Sequence, residues 1–408
     1  MPNLFDPYRD RYASRAAGMS RSEIRELFAV LQRPEIISLA GGNTDTSIVS
    51  HRITECVEIA LSRYGGEALG YGNGEGHAAL REALTELMAS EDIRAQPHQI
   101  VVTDGAQQGL ELLAKIFCEP GDLILTEGPT YVGALGAFDS YQADVRTVPT
   151  DESGVIPDAL IDHLDALDRR AKFLYLVPTF QNPSGTTLAA ERRPEIVEIC
   201  RSRDILIIED DPYAQVRFEG EPVPPLRSLT DEGIIYLGTL SKVFSPGMRV
   251  GWIVAPETIR ERLVLAKEAA DLCSSPFTQL VAATYLTSGH VPEDLEMTRK
   301  VYKERRDAML DGLEAHFPAG SSTRPPEGGL FLWATLPKPI DTKAMRARAI
   351  EGGVAYVSGT AFYPDKRDGR QSMRLNFSYP SLAEIEEGMR RLGVVAHQEL
   401  EFATSLEG

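Results

Sequence analysis

Positive charge, cysteine and long apolar runs are all scarce in this chain of 408 residues. Lys and Arg number 42 against 60 Asp and Glu, a formal charge of −18 with a pI near 4.9. Such a surface repels phosphodiester backbones and anionic bilayers, so neither nucleic acid nor a membrane is expected as a partner, while local basic pockets stay possible. Cys56, Cys118, Cys200 and Cys273 are far apart and sit in apolar or helical contexts, which suits small buried hydrophobes better than a disulfide framework. The seven histidines form no i, i+4 pair and no Cys-paired cluster, so no metal is expected. The first twenty residues, with Asp6, Arg9, Asp10, Arg11 and Arg15, hold no apolar signal core, and no later run is long enough to span a bilayer. The expectation is a cytoplasmic protein.

What is present is an ordinary globular composition, 43% hydrophobic and 25% charged, on a chain long enough for two domains. Seven short β-rich apolar runs, 100–103, 123–126, 145–148, 173–177, 205–208, 234–237 and 251–254, are separated by longer amphipathic stretches such as 107–115 and 189–200. Several runs lack polar alternation, which implies cover on both faces and a mainly parallel, seven-stranded α/β sheet. After a helical stretch at 257–272 and the break Ser274-Ser275-Pro276 come a long helix around 297–317 and two strand-like runs at 328–333 and 372–377. The expected organisation is an N-terminal arm with one helix, 22–31, over residues 1–50, a large domain at 51–275 and a smaller α+β domain at 276–408. That arm is too short for a winged-helix DNA-binding domain.

Ligands of α/β sheets bind beyond the carboxyl ends of the strands, and the residues there are unusually rich in chemistry. They include Gly105-Ala106-Gln107, Thr130-Tyr131, Gln181-Asn182-Pro183-Ser184-Gly185, Glu209-Asp210-Asp211-Pro212-Tyr213 and Thr239-Leu240-Ser241-Lys242. Lys242 follows a strand expected to be buried, and a partly desolvated ammonium loses proton affinity and becomes a nucleophilic amine, able to form a Schiff base with a carbonyl. Gly105, Ala106 and Gln107 open a helix whose free N–H groups can hold an anion, with Thr239, Ser241 and Arg249 as further donors. Asp210, deep in the sheet, needs a cationic partner, for which a protonated ring nitrogen would serve as well as an arginine. Asp211, the next residue of an extended segment, points the other way. Singly, Gly105 and Asn182 are adequately explained as turn residues. Together, a phosphate cup, an acid, an amide, an aromatic face and an imine-capable lysine describe a pocket for pyridoxal phosphate.

The chain resembles the fold-type I pyridoxal-phosphate enzymes of the class I/II aminotransferase family, most closely the branch with 2-aminoadipate and kynurenine aminotransferases. Besides the residues above, the resemblance rests on Ser22-Glu23-Ile24-Arg25-Glu26-Leu27, Ser38-Leu39-Ala40-Gly41-Gly42, Tyr71-Gly72-Asn73-Gly74-Glu75-Gly76 and Arg374-Leu375-Asn376-Phe377. It implies that Lys242 anchors the cofactor and moves protons, that Asp210 pairs with the pyridine nitrogen, and that Tyr213 and Asn182 hydrogen-bond the ring's phenolate oxygen. Tyr131 would stack on the ring. Gly105, Ala106, Gln107, Thr239, Ser241 and Arg249 would surround the phosphate, with Tyr71 reaching it from the second subunit of a homodimer. Arg374 would clamp the substrate α-carboxylate, Gly41, Gly42 and Asn182 would border the substrate, and Arg25 is the candidate for an acidic side chain. The implied reaction is ping-pong transfer of the amino group of an L-amino acid to a 2-oxo acid. Two alternatives accompany it: the same cofactor steered to oxidation, decarboxylation or β/γ-replacement, and a non-catalytic effector-binding protein. Ala106 stands where the family usually has serine, Ser358-Gly359-Thr360-Ala361-Phe362 replaces a usual Pro-Gly, and 43–49 lacks the prolines common near the substrate mouth. The last departure bears on substrate identity, because that segment normally closes over the side chain.

Overall fold

The seven apolar runs fold into one twisted sheet in a computed structural model that describes residues 6–19, 23 and 33–407. Arg25 and, apart from Glu23, the helix expected at 22–31 lie outside the described residues. From edge to edge the strands are Ile100–Thr103, Gly251–Val254, Ile234–Thr239, Leu206–Asp210, Phe173–Leu176, Leu123–Gly128, Asp144–Asp151 and Gly154–Val155. The last, a two-residue edge strand paired antiparallel to Asp144–Asp151, is an eighth strand too short to show a periodic pattern in the sequence. The five central strands from Ile234–Thr239 to Asp144–Asp151 are parallel, whereas Gly251–Val254 runs antiparallel to both of its neighbours.

Side-chain alternation explains why the central runs are apolar throughout. Phe173 and Tyr175 enter one core with Leu110, Leu113, Ile208 and Leu237, while Leu174 and Leu176 enter another with Leu123, Ile196 and Ile207. Every residue of Phe173–Leu176 is therefore buried, each leucine stabilising the fold by roughly 1.5–3 kcal/mol. On the first face lies Ala106–Phe117, which begins directly beyond the strand end at Thr103. Pro276–Thr287, following the Ser274-Ser275-Pro276 break, packs against Ser50–Tyr64 and Ala78–Ala89, sharing a core of Cys56, Leu80, Leu84, Leu280 and Tyr285.

The chain then enters a 26-residue helix, Val291–His316, which starts six residues before the expected 297 because Pro292 is well tolerated in the first turn of a helix. A four-stranded antiparallel sheet follows, ordered Ser322–Thr323, Phe331–Thr335, Ser372–Asn376 and Val357–Ser358, and Leu382–Glu407 packs against Val291–His316. Among the described residues, no helix is long and apolar enough to cross a membrane.

Candidate active site

The antiparallel strand builds the anion cup. Because Gly251–Val254 runs backwards between two neighbours, its first residue, Gly251, is paired with both Thr103 and Thr239, which end their strands at the same edge. The turn Gly105-Ala106 and the turn Leu240-Ser241 are thus drawn together around one glycine. A Cβ on Gly251 would lie 2.6 Å from the backbone N of Ala106, so no side chain fits there. Gly105 adopts φ +77°, and a Cβ on it would meet the Arg249 guanidinium at 2.4 Å. Arg249 is exposed and left-handed at φ 53°, and its Nη2 donates to the Asp104 carbonyl at 2.8 Å, which holds the guanidinium over the helix start. The first bond of that turn runs from Gln108 N to Gly105 O, so the N–H groups of Ala106 and Gln107 precede it and face the cup. Thr239 and Ser241 are linked hydroxyl to hydroxyl at 2.9 Å, and Ser241 N also donates to Thr239 Oγ1. The cup's donors come from three strand ends.

Two strands away, Asp210 is 3% exposed, and its Oδ2 accepts a 2.7 Å hydrogen bond from Tyr175 OH. Its Oδ1 has no hydrogen-bond partner among the described residues. Burial pushes this carboxyl up to about 7; the Tyr175 hydroxyl and the Lys242 ammonium pull it down, and Asp211 adds to the rise. Asp211, as expected, turns elsewhere and accepts from Ala214 N.

Lys242 lies across the site and donates from Nζ to the Gly42 carbonyl at 2.8 Å. Burial, followed by the charges of Arg374 and Arg249, lowers its ammonium to about 8 against Asp210's opposing pull. Tyr213 and Asn182 meet at 3.3 Å, hydroxyl to amide nitrogen, and Asn182 Oδ1 accepts from Arg374 Nη1 at 2.9 Å. Arg374 also donates from Nη2 to Ala40 O at 2.8 Å and, more weakly, to Gly41 O at 3.5 Å, while its Nε has no partner among the described residues. Its guanidinium is 4.0 Å from the Phe331 ring centroid and 5.1 Å from that of Phe362, a cation held between two aromatic faces at 1% exposure. Burial lowers this guanidinium to about 10, which leaves it a cation at neutral pH. Tyr131 donates to Gln107 Oε1 at 3.3 Å, and the charge of nearby Asp210 is, after burial, among the causes raising its phenol.

Lys242, Asp210, Tyr213, Asn182, Tyr131, Arg374, Gly41, Gly42 and the cup residues are thus brought near one another. Tyr71 stands apart from them at 88% exposure. Sequence reasoning missed Tyr175, Phe331 and Phe362. Tyr175 carried a signal in retrospect, since a phenol inside a fully buried strand needs a hydrogen-bond partner. The two phenylalanines carried none, being apolar residues in apolar surroundings.

A nucleophilic amine, a buried carboxylate with one oxygen open, and an N–H cup at a helix start define a pyridoxal-phosphate-dependent enzyme. The open Oδ1 of Asp210 fits a protonated ring nitrogen, and the cup fits the phosphate. The sequence model for aminotransferase class I and II matches residues 34–392, and the chain belongs to that family. It is a pyridoxal-phosphate-dependent aminotransferase of fold type I. It is 41% identical to aromatic-amino-acid aminotransferase 1 of Thermococcus litoralis over 399 residues, covering 96% of this chain and 95% of that protein. The crystal structure of a Pyrococcus horikoshii kynurenine aminotransferase in complex with PMP is 39% identical, with a TM-score of 0.92 over 97% of this chain and 98% of that one. That of the α-aminoadipate aminotransferase of Thermus thermophilus, complexed with N-(5'-phosphopyridoxyl)-L-leucine, is 34% identical, with a TM-score of 0.89 over 97% of this chain and all of the other.

Proposed function

We propose that this aminotransferase takes the amino group from an L-amino acid with an aromatic or 2-aminoadipate-like side chain and passes it to a 2-oxo acid, in two half-reactions at Lys242. The observation that carries this reading is the pairing of Lys242 with Arg374. The amine and the caged guanidinium both bond to successive carbonyls of Ala40, Gly41 and Gly42, so an α-carboxylate held by Arg374 has its Cα presented to Nζ. The side-chain preference is supported by the activities named for the relatives above.

When bound, pyridoxal phosphate supplies an electrophilic carbonyl and a ring that accepts electrons from the substrate Cα. Gly105, Ala106, Gln107, Thr239, Ser241 and Arg249 would hold its phosphate, and Asp210 its ring nitrogen. Tyr213 and Asn182 would donate to its phenolate oxygen, and Tyr131 would cover one face. Lys242 Nζ would take the proton from the substrate Cα and deliver it, on the same face, to the cofactor carbon that carried the carbonyl, so that the nitrogen stays with the cofactor when the oxo acid leaves. Arg374 keeps the α-carboxylate from rotating, with Nε as a donor still open and the amide of Asn182 fixing the guanidinium plane.

Mixing the holoenzyme with single amino acids, without an acceptor, tests the reaction. Phenylalanine, tyrosine, kynurenine or 2-aminoadipate should discharge the long-wavelength cofactor absorbance in one turnover, and 2-oxoglutarate should restore it. A panel in which none does so overturns the proposal. Arg374→Lys should raise the KM for the amino acid about 10- to 100-fold with a smaller change in kcat, because a point charge replaces a planar, two-pronged donor. An unchanged KM would move the carboxylate site elsewhere.

Tyr71 is assigned to the cup of a second copy in a homodimer, a reading supported by the family resemblance and by the joint exposure of Tyr71 and Leu69, 88% and 75%. Sedimentation should find a dimer, and Tyr71→Phe should weaken cofactor retention without dissociating it; a monomeric holoenzyme removes the assignment.

A further inference from the structure

Among the described residues, the Asp210 side chain has one hydrogen-bond partner, the buried Tyr175. Tyr175 sits in the strand Phe173–Leu176, beside Leu206–Asp210, in parallel register with Ile208. Its ring is fully buried and braced edge-on by Phe138 at 5.6 Å, and its hydroxyl reaches along the sheet to Oδ2 of Asp210. One carboxylate oxygen is thereby occupied, and the other has no partner among the described residues. A carboxylate has two equivalent oxygens and a soft terminal torsion, so a donor on one of them fixes where the other points.

We propose that Tyr175 is a positioning residue for the cofactor's ring nitrogen: by donating to Oδ2 it orients Oδ1 and makes Asp210 a weaker base, so that the shared proton resides on the ring nitrogen. The inference rests on the proposed pairing of Asp210 with that nitrogen. Its physical basis is a competition for one proton. A carboxylate that already accepts a hydrogen bond is stabilised as the anion and returns the proton to its partner. Without the phenol, the proton moves from ring nitrogen to Oδ1, leaving a neutral acid beside a neutral ring, with no atom gained or lost. The neutral ring accepts electrons less well. Tyr175 itself stays a donor throughout, because burial and then the Asp210 charge hold its phenol well above the usual range.

The experiment is ¹⁵N NMR of the holoenzyme reconstituted with pyridoxal phosphate labelled at the ring nitrogen, alongside steady-state kinetics. In Tyr175→Phe, which keeps the ring and the Phe138 contact, the resonance should move toward that of unprotonated pyridine. Turnover should fall roughly 10- to 100-fold, the scale of one charge-assisted hydrogen bond, with the amino-acid KM within about twofold. Tyr175→3-fluorotyrosine, a stronger donor of nearly the same shape, should hold the resonance at the protonated position to higher pH than wild type, and it decides the matter if the phenylalanine variant does not fold. Asp210→Asn separates the two levels of the argument. If it moves the resonance and neither Tyr175 variant does, the role of Tyr175 is wrong and the Asp210 pairing stands. If Asp210→Asn leaves the resonance unchanged, the pairing fails and this inference with it.

Discussion

Lys242→Ala is expected to lower turnover on the order of 10⁶-fold, the scale for deleting a group that takes part in every chemical step. The structural cost is small by comparison: among the described residues the side chain makes one hydrogen bond, to Gly42 O, worth roughly 0.5–1.5 kcal/mol. The variant should therefore fold and retain pyridoxal phosphate noncovalently through the cup. Borohydride treatment, which fixes the cofactor to the wild-type protein, should leave it dialysable from the variant. Covalent fixation that survives the substitution would show that a different lysine is the anchor. The same amine predicts a pH dependence for reconstitution. Only the neutral amine attacks the cofactor's carbonyl, and burial with Arg374 and Arg249 nearby brings Lys242 down to about 8 from 10.5. The rate at which the apoprotein captures pyridoxal phosphate should rise with pH up to about 8 and level off above it. A rate still climbing toward 10.5 contradicts the desolvated lysine.

Asp210→Asn is expected to cost about 10²- to 10³-fold in kcat, by analogy with loss of one fixed electrostatic group from a dry site. The substitution is isosteric and can still accept from Tyr175, so the loss should be one of charge and not of packing. Stability should move the opposite way. Burial raises the folded-state pKa of Asp210 to about 7 from 3.8, so between those values the folded apoprotein binds a proton that the unfolded chain has released. This group's contribution to stability is present below about pH 4 and is lost as pH rises to 7. Asparagine does not titrate, so at pH 8 the variant apoprotein should melt above the wild type. A variant that is both nearly as active and no more stable would mean that the carboxylate is neither the ring's partner nor a buried charge.

Two departures from family pattern read in the sequence meet different fates in the structure. Ala106 lacks a hydroxyl, yet its backbone N–H still opens the cup. The segment 43–49 is tied down without proline: Asp45 accepts from Arg305 of the helix Val291–His316 at 2.7 Å and from Ser47, and the Asn43 carbonyl accepts from Ser378. Short-range pattern could reveal the absence of proline there but not the ion pair that takes its place, because Asp45 and Arg305 are 260 residues apart.

The sequence by itself determined the parts: seven apolar runs with buried-strand character, a lysine, an acid and a helix start placed beyond their ends, and an arginine on a late strand. These are local facts, set by the period of a strand, the desolvation of a residue at its end and the free N–H groups of a helix. Only the tertiary structure decided how the parts meet. It reversed the strand Gly251–Val254, which joins two strand ends 136 residues apart, Thr103 and Thr239, at one glycine. It set Arg374 between Phe331 and Phe362 and against Asn182, and turned Tyr175 toward Asp210. Such pairings depend on strand order and register, which arise from burial summed over the whole core, so no short window of sequence contains them.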